Sequence, residues 1–118
     1  MLDVLETTGR KSGNPVSMPI VVVHLEDERY LVSMLGDDVN WVKNVRAANG
    51  GAALLKGERT DVKLEEIPED DRAPILKRYC EIAPGGRSHI PVDLNAPLAD
   101  FATIARDYPV FRIVGSQP

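Results

Sequence analysis

Short apolar runs rich in β-branched residues alternate along the chain with segments whose apolar residues recur at helical spacing. The runs at residues 2–6, 18–25, 29–34, 52–56, 59–67 and 109–114 predict about six strands. Helical spacing predicts about three helices, at residues 39–48, 68–82 and 97–107. Because the turns between successive strand pairs are too short for parallel crossovers, we predict a mainly β (α+β) fold. Its antiparallel sheet or small barrel would have the helices packed around it.

Glycine, proline and aspartate indicate where these elements begin and end. An aspartate of Gly36-Asp37-Asp38 is expected to cap the first helix, and Asn49-Gly50-Gly51 to end it. Ala83-Pro84-Gly85-Gly86 is expected to close the second helix. Residues 18–25 are expected to form one strand, and Pro19 should lie near the start or edge of that strand because proline cannot donate to a ladder.

Composition narrows the class of protein. The 118 residues are enough for one domain, which we expect to span residues 1–118. A net charge of −4 argues against a nucleic-acid partner, since such domains usually carry a basic surplus. No secretory signal is visible and no apolar run approaches the ~18 residues of a membrane span, so we expect a cytoplasmic protein with no stable membrane anchor. A single cysteine and two histidines without a metal-binding motif predict neither a disulfide nor a metal site.

The most distinctive stretch is Thr7-Thr8-Gly9-Arg10-Lys11-Ser12-Gly13-Asn14-Pro15, called the basic turn below. Glycine lets backbone amides approach a ligand, and arginine with lysine suits a phosphate or carboxylate. An ordinary basic hairpin loop is the alternative, because Ser-Gly-Asn-Pro is also common turn chemistry. The basic turn alone does not decide between the two.

Three further features carry weaker signals. Ser33-Met34-Leu35-Gly36 ends a strand just before a helix, a corner where free amides can meet a polar ligand or simply make a turn. Trp41 and Asn44 share a helix face; the indole is typical of a core, but an amide beside it needs a polar partner. His89 lies in an irregular segment near Asp93, where it is either a loop histidine or a substrate contact.

Together, the basic turn, the corner and Asn40-Trp41-Val42-Lys43-Asn44 resemble the deazaflavin-dependent nitroreductase family. The resemblance extends from about Leu5 to Val114. It implies an actinobacterial oxidoreductase with an antiparallel split β-barrel, similar to FMN-binding barrels, that uses coenzyme F420.

The resemblance also implies roles for individual residues. Those that would grip the cofactor's phosphate and acidic tail are Arg10, Lys11, Ser12 and Gly13. Those that would line the deazaflavin ring or contact its ribityl chain are Met18, Pro19, Ile20, Ser33, Met34, Leu35, Trp41 and Asn44. Leu98 and Phe101 are candidates for the substrate pocket. Many members carry a second basic residue just after the loop proline, where this chain has Val16.

The implied function is an F420H2-dependent reductase. Hydride would pass from the reduced deazaflavin to an electron-poor small molecule, an activated alkene, a quinone or a nitroaromatic. Such chemistry belongs to the cofactor, so no strong protein base is required, and His89 is the hypothetical proton donor. An FMN-binding reductase and a non-catalytic F420-binding or carrier protein are the alternatives. A monomer and a homodimer are both compatible with the family.

Overall fold

The structure, a computed structural model, describes residues 2–115. Within this range the chain forms seven strands: β1 (Asp3–Thr8), β2 (Pro15–Ile20), β3 (Val23–Leu25), β4 (Glu28–Val32), β5 (Gly51–Lys56), β6 (Glu58–Glu66) and β7 (Val110–Val114). It also forms four α-helices: α1 (Asn40–Ala47), α2 (Ala73–Ile82), α3 (Pro84–Arg87) and α4 (Leu98–Ile104). Two short 3-10 turns, Glu69–Asp71 and Ala105–Asp107, precede α2 and follow α4.

All seven strands belong to one sheet, in the order β2-β1-β5-β6-β7-β4-β3. Every neighbouring pair is antiparallel, which confirms the predicted sheet. The outer strands β2 and β3 are joined by only Val21 and Val22, so Ile20 and Val23 lie at most about 11 Å apart. A flat sheet of this size would separate its edges by about 29 Å, at about 4.8 Å per strand. The sheet must therefore curl until its two edges approach each other, as a barrel that stays open between β2 and β3.

The curl explains why the single strand expected over residues 18–25 is wrong. Ile20 ends β2, which pairs with β1, and Val23 begins β3, which pairs with β4 at the far edge of the sheet. The apolar run is continuous because Ile20 at the end of β2 and Val23 at the start of β3 are both buried, and no turn residue marks the crossing. Pro19 lies opposite Val4 near the end of β2, which is an edge strand of the sheet, and not near the start of its strand.

The helices differ from the prediction in their details. The residue that caps α1 is Val39, with no side-chain hydrogen bond, so the expected aspartate cap is wrong. Asp38 instead pairs with Lys43, and Asp37 with Arg46 at 2.9 Å, because cations on α1 compete for these carboxylates. The segment expected only to close the second helix forms the extra short helix α3.

Two apolar cores lie against the curled sheet. In one, α1 packs Trp41, Val42 and Val45 against strand residues that include Phe111, whose ring centroid is 5.5 Å from that of Trp41. In the other, α2 and α4 pack against β3, β4 and β7, with Phe101 at its centre. No helix within residues 2–115 is long and apolar enough to cross a bilayer.

Candidate functional site

A cavity of about 790 Å³ lies where the two cores meet at the open side of the barrel, and it is called the cleft below. Strand β2 and the residue after it contribute Val16, Met18, Pro19, Ile20 and Val21; the corner after β4 contributes Ser33, Met34 and Leu35; helix α1 contributes Asn40 and Trp41; and α2 and α3 contribute Tyr79, Ile82, Pro84, Gly85 and Gly86. Its volume falls within the range of about 300–1,000 Å³ that is usual for small-molecule sites.

The cleft is mainly apolar, and its apolar surface reaches solvent. The exposed large hydrophobic residues of the described chain are Leu2, Val16, Leu35 and Leu98, and the first three line the cleft. Such clustering marks a binding surface, whereas exposed apolar residues scattered singly need no explanation. The site therefore suits a large, mostly apolar ligand.

Asn44 lies behind the cleft and holds the basic turn in place. Its side chain is buried, with Oδ1 accepting hydrogen bonds from the Arg10 backbone N–H at 3.2 Å and from Arg10 Nη1 at 2.8 Å. Asn44 Nδ2 donates to Thr7 Oγ1 at 3.2 Å. The polar partners that the sequence required for this amide are thus in β1 and the basic turn. Asn44 does not line the cleft, and its contacts assign it to positioning the turn.

The two cations of the basic turn have different surroundings. Arg10 lies over the start of α1, where its Nη2 also reaches Asn40 Oδ1 at 3.4 Å. Lys43 beside Asp38 lowers the pKa of that carboxyl, and Arg10 adds a smaller effect in the same direction. Lys11 is exposed and makes no ion pair or side-chain hydrogen bond within residues 2–115. Lys11 is therefore the cation most available to an anionic ligand.

The corner after β4 is closed by its own hydrogen bonds. Ser33 is buried; its Oγ donates to the Gly36 carbonyl at 2.5 Å and its N–H donates to the Pro109 carbonyl at 2.9 Å. Gly36 has φ +98°, a conformation that glycine adopts without strain. This fixed corner directs Met34 and Leu35 into the wall of the cleft.

Most residues predicted to contact the cofactor come together. Those that line the cleft are Met18, Pro19, Ile20, Ser33, Met34, Leu35 and Trp41. Arg10, Lys11, Ser12 and Gly13 lie in the turn between Thr7 and Val16, which both line the cleft. Ser12 Oγ accepts from the Asn14 N–H at 3.1 Å and Gly13 has φ +77°, so both shape the turn.

The structure does not bring the predicted substrate-pocket residues to the cleft. Phe101 is fully buried in the core between α2 and α4, with Lys77 Nζ 5.5 Å from its ring centroid. Leu98 is exposed and is not among the residues that line the cleft. Phe101 is thus a core residue, and neither side chain borders the cleft in this structure.

His89 lies in a smaller hollow of about 280 Å³ beside the cleft. Met34 and Leu35 line both spaces, and Gly36, Asp107 and Tyr108 complete the hollow. Tyr108 donates its hydroxyl proton to the His89 carbonyl at 3.0 Å. Two side chains thus separate His89 from the cleft.

Sequence reasoning missed the wall built by the end of α2 and by α3. In the sequence, Tyr79 and Ile82 indicated only an apolar helix face, and Gly86 indicated only the end of that helix. No local signal showed that these residues border a cavity. No three His, Cys, Asp or Glu side chains are grouped to hold a metal ion in the described part of the chain.

Comparisons with known proteins agree with this geometry. Residues 2–93 match the model of a family described as F420H(2)-dependent quinone reductase. No match is found among curated proteins.

Solved structures share the fold. A domain-swapped dimer is 24% identical, with a TM-score of 0.62 over 95% of this chain and 78% of the other. An F420-H2 dependent reductase is 21% identical, with a TM-score of 0.62 over 95% of this chain and 92% of the other. A putative 5-nitroimidazole antibiotic resistance protein from Bacteroides thetaiotaomicron is 16% identical, with a TM-score of 0.61 over 98% and 73%. These likenesses confirm the predicted split β-barrel. Because the family model covers most of the sequence, the chain belongs to the F420H2-dependent quinone reductase family.

Proposed function

We propose that the chain binds F420 in the cleft and passes hydride from the reduced cofactor to a quinone or a similarly electron-poor small molecule. The observation that carries the proposal is the junction of an apolar cleft with the basic turn at one end. F420-dependent reduction is the activity of the family, and the acceptor class is the proposed part.

The apolar part of the cleft fits the ring of a deazaflavin. Met18, Pro19 and Trp41 offer flat or flexible apolar surface from two elements, β2 and α1. Pro19 lies on the edge strand β2, where proline is tolerated because one side of the strand needs no N–H for the ladder. The pocket walls are held by the barrel and by α1, so little ordering is needed when a ligand binds.

The basic turn fits the anionic part of the same cofactor. Lys11 is exposed beside the cleft, and Arg10 lies next to it with its guanidinium held by Asn44. Val16, where many relatives of this type carry a cation, lines the cleft with an apolar side chain. The basic turn therefore offers two cations to the acidic tail, Arg10 and Lys11. Of these, only Lys11 has no side-chain partner among residues 2–115.

When bound, the reduced cofactor supplies the hydride. The chain's own residues hold the acceptor against apolar walls and need provide no strong base. Quinones, activated alkenes and nitroaromatics all suit a site of this kind, because each is an electron-poor and largely apolar molecule.

Purified protein should bind F420 more tightly than FMN or haem. The basic turn favours the longer acidic tail of F420 by added charge-assisted contacts. Titrations that follow cofactor fluorescence or absorbance provide the comparison. A preference for FMN would favour the alternative flavin-dependent reductase. Adding a panel of quinones and enones to the F420H2-loaded protein then separates an enzyme from a carrier, since only an enzyme oxidises the cofactor in turnover.

His89→Ala should change turnover by less than about twofold between pH 5 and 8. Met34 and Leu35 separate the imidazole from the cleft, so a proton can reach the product from solvent without it. Steady-state rates with one quinone across this pH range measure the effect. A fall in rate of about tenfold or more in the variant would instead assign His89 as the proton donor.

We infer a cytoplasmic protein that exists as a monomer or homodimer. One structural neighbour is a domain-swapped dimer, and the edge strand β2 of this chain is a surface through which copies can pair. Light scattering on the eluted peak of a sizing column gives the mass of the particle.

A further inference from the structure

The polar groups that line the cleft differ in how firmly they are bonded. Ser33 Oγ donates to the Gly36 carbonyl at 2.5 Å, and Thr7 Oγ1 accepts from Asn44. The Tyr79 hydroxyl, by contrast, donates to Met34 Sδ at 3.1 Å. A thioether is a weak acceptor, so this bond is exchanged for one to a ligand oxygen at little cost.

Helix packing holds the Tyr79 ring at the cleft. Tyr79 lies in α2 and is only 4% exposed, and both it and Gly86 of α3 border the cavity. A Cβ at position 86 would lie 2.6 Å from Tyr79 Cζ and 2.9 Å from Cε2, and would also overlap the hydroxyl oxygen. The ring therefore occupies the space that a side chain at 86 would take.

We propose that Tyr79 is the hydrogen-bond donor that recognises a carbonyl oxygen of the acceptor, so that it selects conjugated carbonyl compounds such as quinones. This inference rests on the proposed function and names the chemical feature of the acceptor that the cleft recognises. Tyr79 is then a residue that touches substrate, and Gly86 positions it.

The chemistry of the acceptor explains why a donor at this point matters. When hydride adds to a conjugated carbon, a new C–H bond forms and the π electron pair moves onto the carbonyl oxygen. Negative charge collects on that oxygen, where a prepositioned O–H stabilises it. A proton from solvent completes the reduction, and Tyr79 keeps its own. Burial, with a smaller effect from Cys80, raises the pKa of Tyr79, so the hydroxyl stays protonated at neutral pH.

Menadione (2-methyl-1,4-naphthoquinone) and 2-methylnaphthalene test this assignment, because they share a ring skeleton and differ in the two oxygens. Their binding to protein saturated with oxidised F420, which has no hydride to give, is measured by equilibrium dialysis. Wild-type protein, Tyr79→Phe and Gly86→Ala are compared. Phe keeps the ring and removes the donor; Ala keeps the donor and displaces the ring, at a position where φ is not in the left-handed region.

Tyr79→Phe should bind menadione about three- to tenfold more weakly than the wild type, the effect of one hydrogen bond, and bind 2-methylnaphthalene equally well. Gly86→Ala also alters the apolar wall, so it should weaken the binding of both ligands but weaken that of menadione more. Equal losses for both ligands, or no loss for menadione, would overturn the role of Tyr79. Wild-type protein that binds menadione no more tightly than 2-methylnaphthalene would also overturn this role. Thermal unfolding checks each fold, and either variant alone suffices if the other does not fold.

Failure of the proposed function gives a different result. In that case wild-type protein does not take up oxidised F420, as its fluorescence polarisation shows before any menadione is added. The two ligands are then compared on the cofactor-free protein, where the same selective loss in the variants supports Tyr79 and its absence overturns it.

Discussion

Replacing both Arg10 and Lys11 with alanine is expected to weaken F420 binding by about 100-fold. Each charge-assisted hydrogen bond contributes about 1.5–3 kcal/mol, and solvent exposure places the pair near the lower end, at about 3 kcal/mol together. In the proposed site, Lys11→Ala removes a direct contact to the cofactor. Arg10→Ala removes a second proposed contact and also the side-chain hydrogen bond to Asn44, which holds the turn against α1. Fluorescence polarisation of F420 measures the affinity.

The matched control removes two cations that pair with β1 and lie outside the basic turn. Lys56 and Arg59 flank the β5–β6 turn at Gly57 and pair with Asp3 and Glu6 of β1. Lys56→Ala with Arg59→Ala should change F420 affinity by less than about threefold, although the net charge changes by the same amount. Equal losses in both double variants would show that general charge, not the basic turn, attracts the cofactor. The loss in the Arg10 and Lys11 variant should also shrink as salt rises, since exposed charges are screened.

Local patterns predicted most of the sheet, because each strand and turn has its own signal. The β5–β6 hairpin around Gly57 and the pairing of short antiparallel strands follow from alternation and turn residues alone. The break at Val21 and Val22 could not be predicted this way. It arises because the curled sheet brings its two edges together, and closure of a barrel depends on all seven strands at once.

The candidate site shows the same division between local and distant causes. That Asn44 needs a partner followed from its place beside Trp41, but the partners Thr7 and Arg10 lie more than 30 residues away. Phe101 and Tyr79 both looked like apolar positions on helices. Only the packing of α2 against α3 and α4 shows that one fills a core and the other borders the cleft.

Gly50→Ala should destabilise the protein by about 3 kcal/mol, because a backbone cost and a steric overlap add together. This is the largest loss of stability that we expect from replacing a glycine. Gly50 has φ +92°, which costs an alanine about 1 kcal/mol. The new Cβ would also overlap the Leu64 carbonyl, with Leu64 N only 3.4 Å away. Backbone of β6 cannot move aside cheaply, because Leu64 N–H donates to the Gly50 carbonyl at 2.7 Å. Thermal unfolding should show a fall in Tm of about 10 °C.

Gly57→Ala is the control for backbone conformation alone. Gly57 has φ +80° but nothing lies within 4 Å of its added Cβ, so this variant should lose only about 1 kcal/mol. The difference between the two variants then measures the contact of the α1–β5 turn with β6. Because Gly50 follows the helix that carries Trp41 and Asn44, its N–H donating to the Val45 carbonyl at 2.8 Å, displacement of this turn should also shift α1. Folded Gly50→Ala protein should therefore bind F420 more weakly than Gly57→Ala. Equal stabilities and equal F420 affinities for the two variants would mean that the α1–β5 turn moves freely and does not position the site.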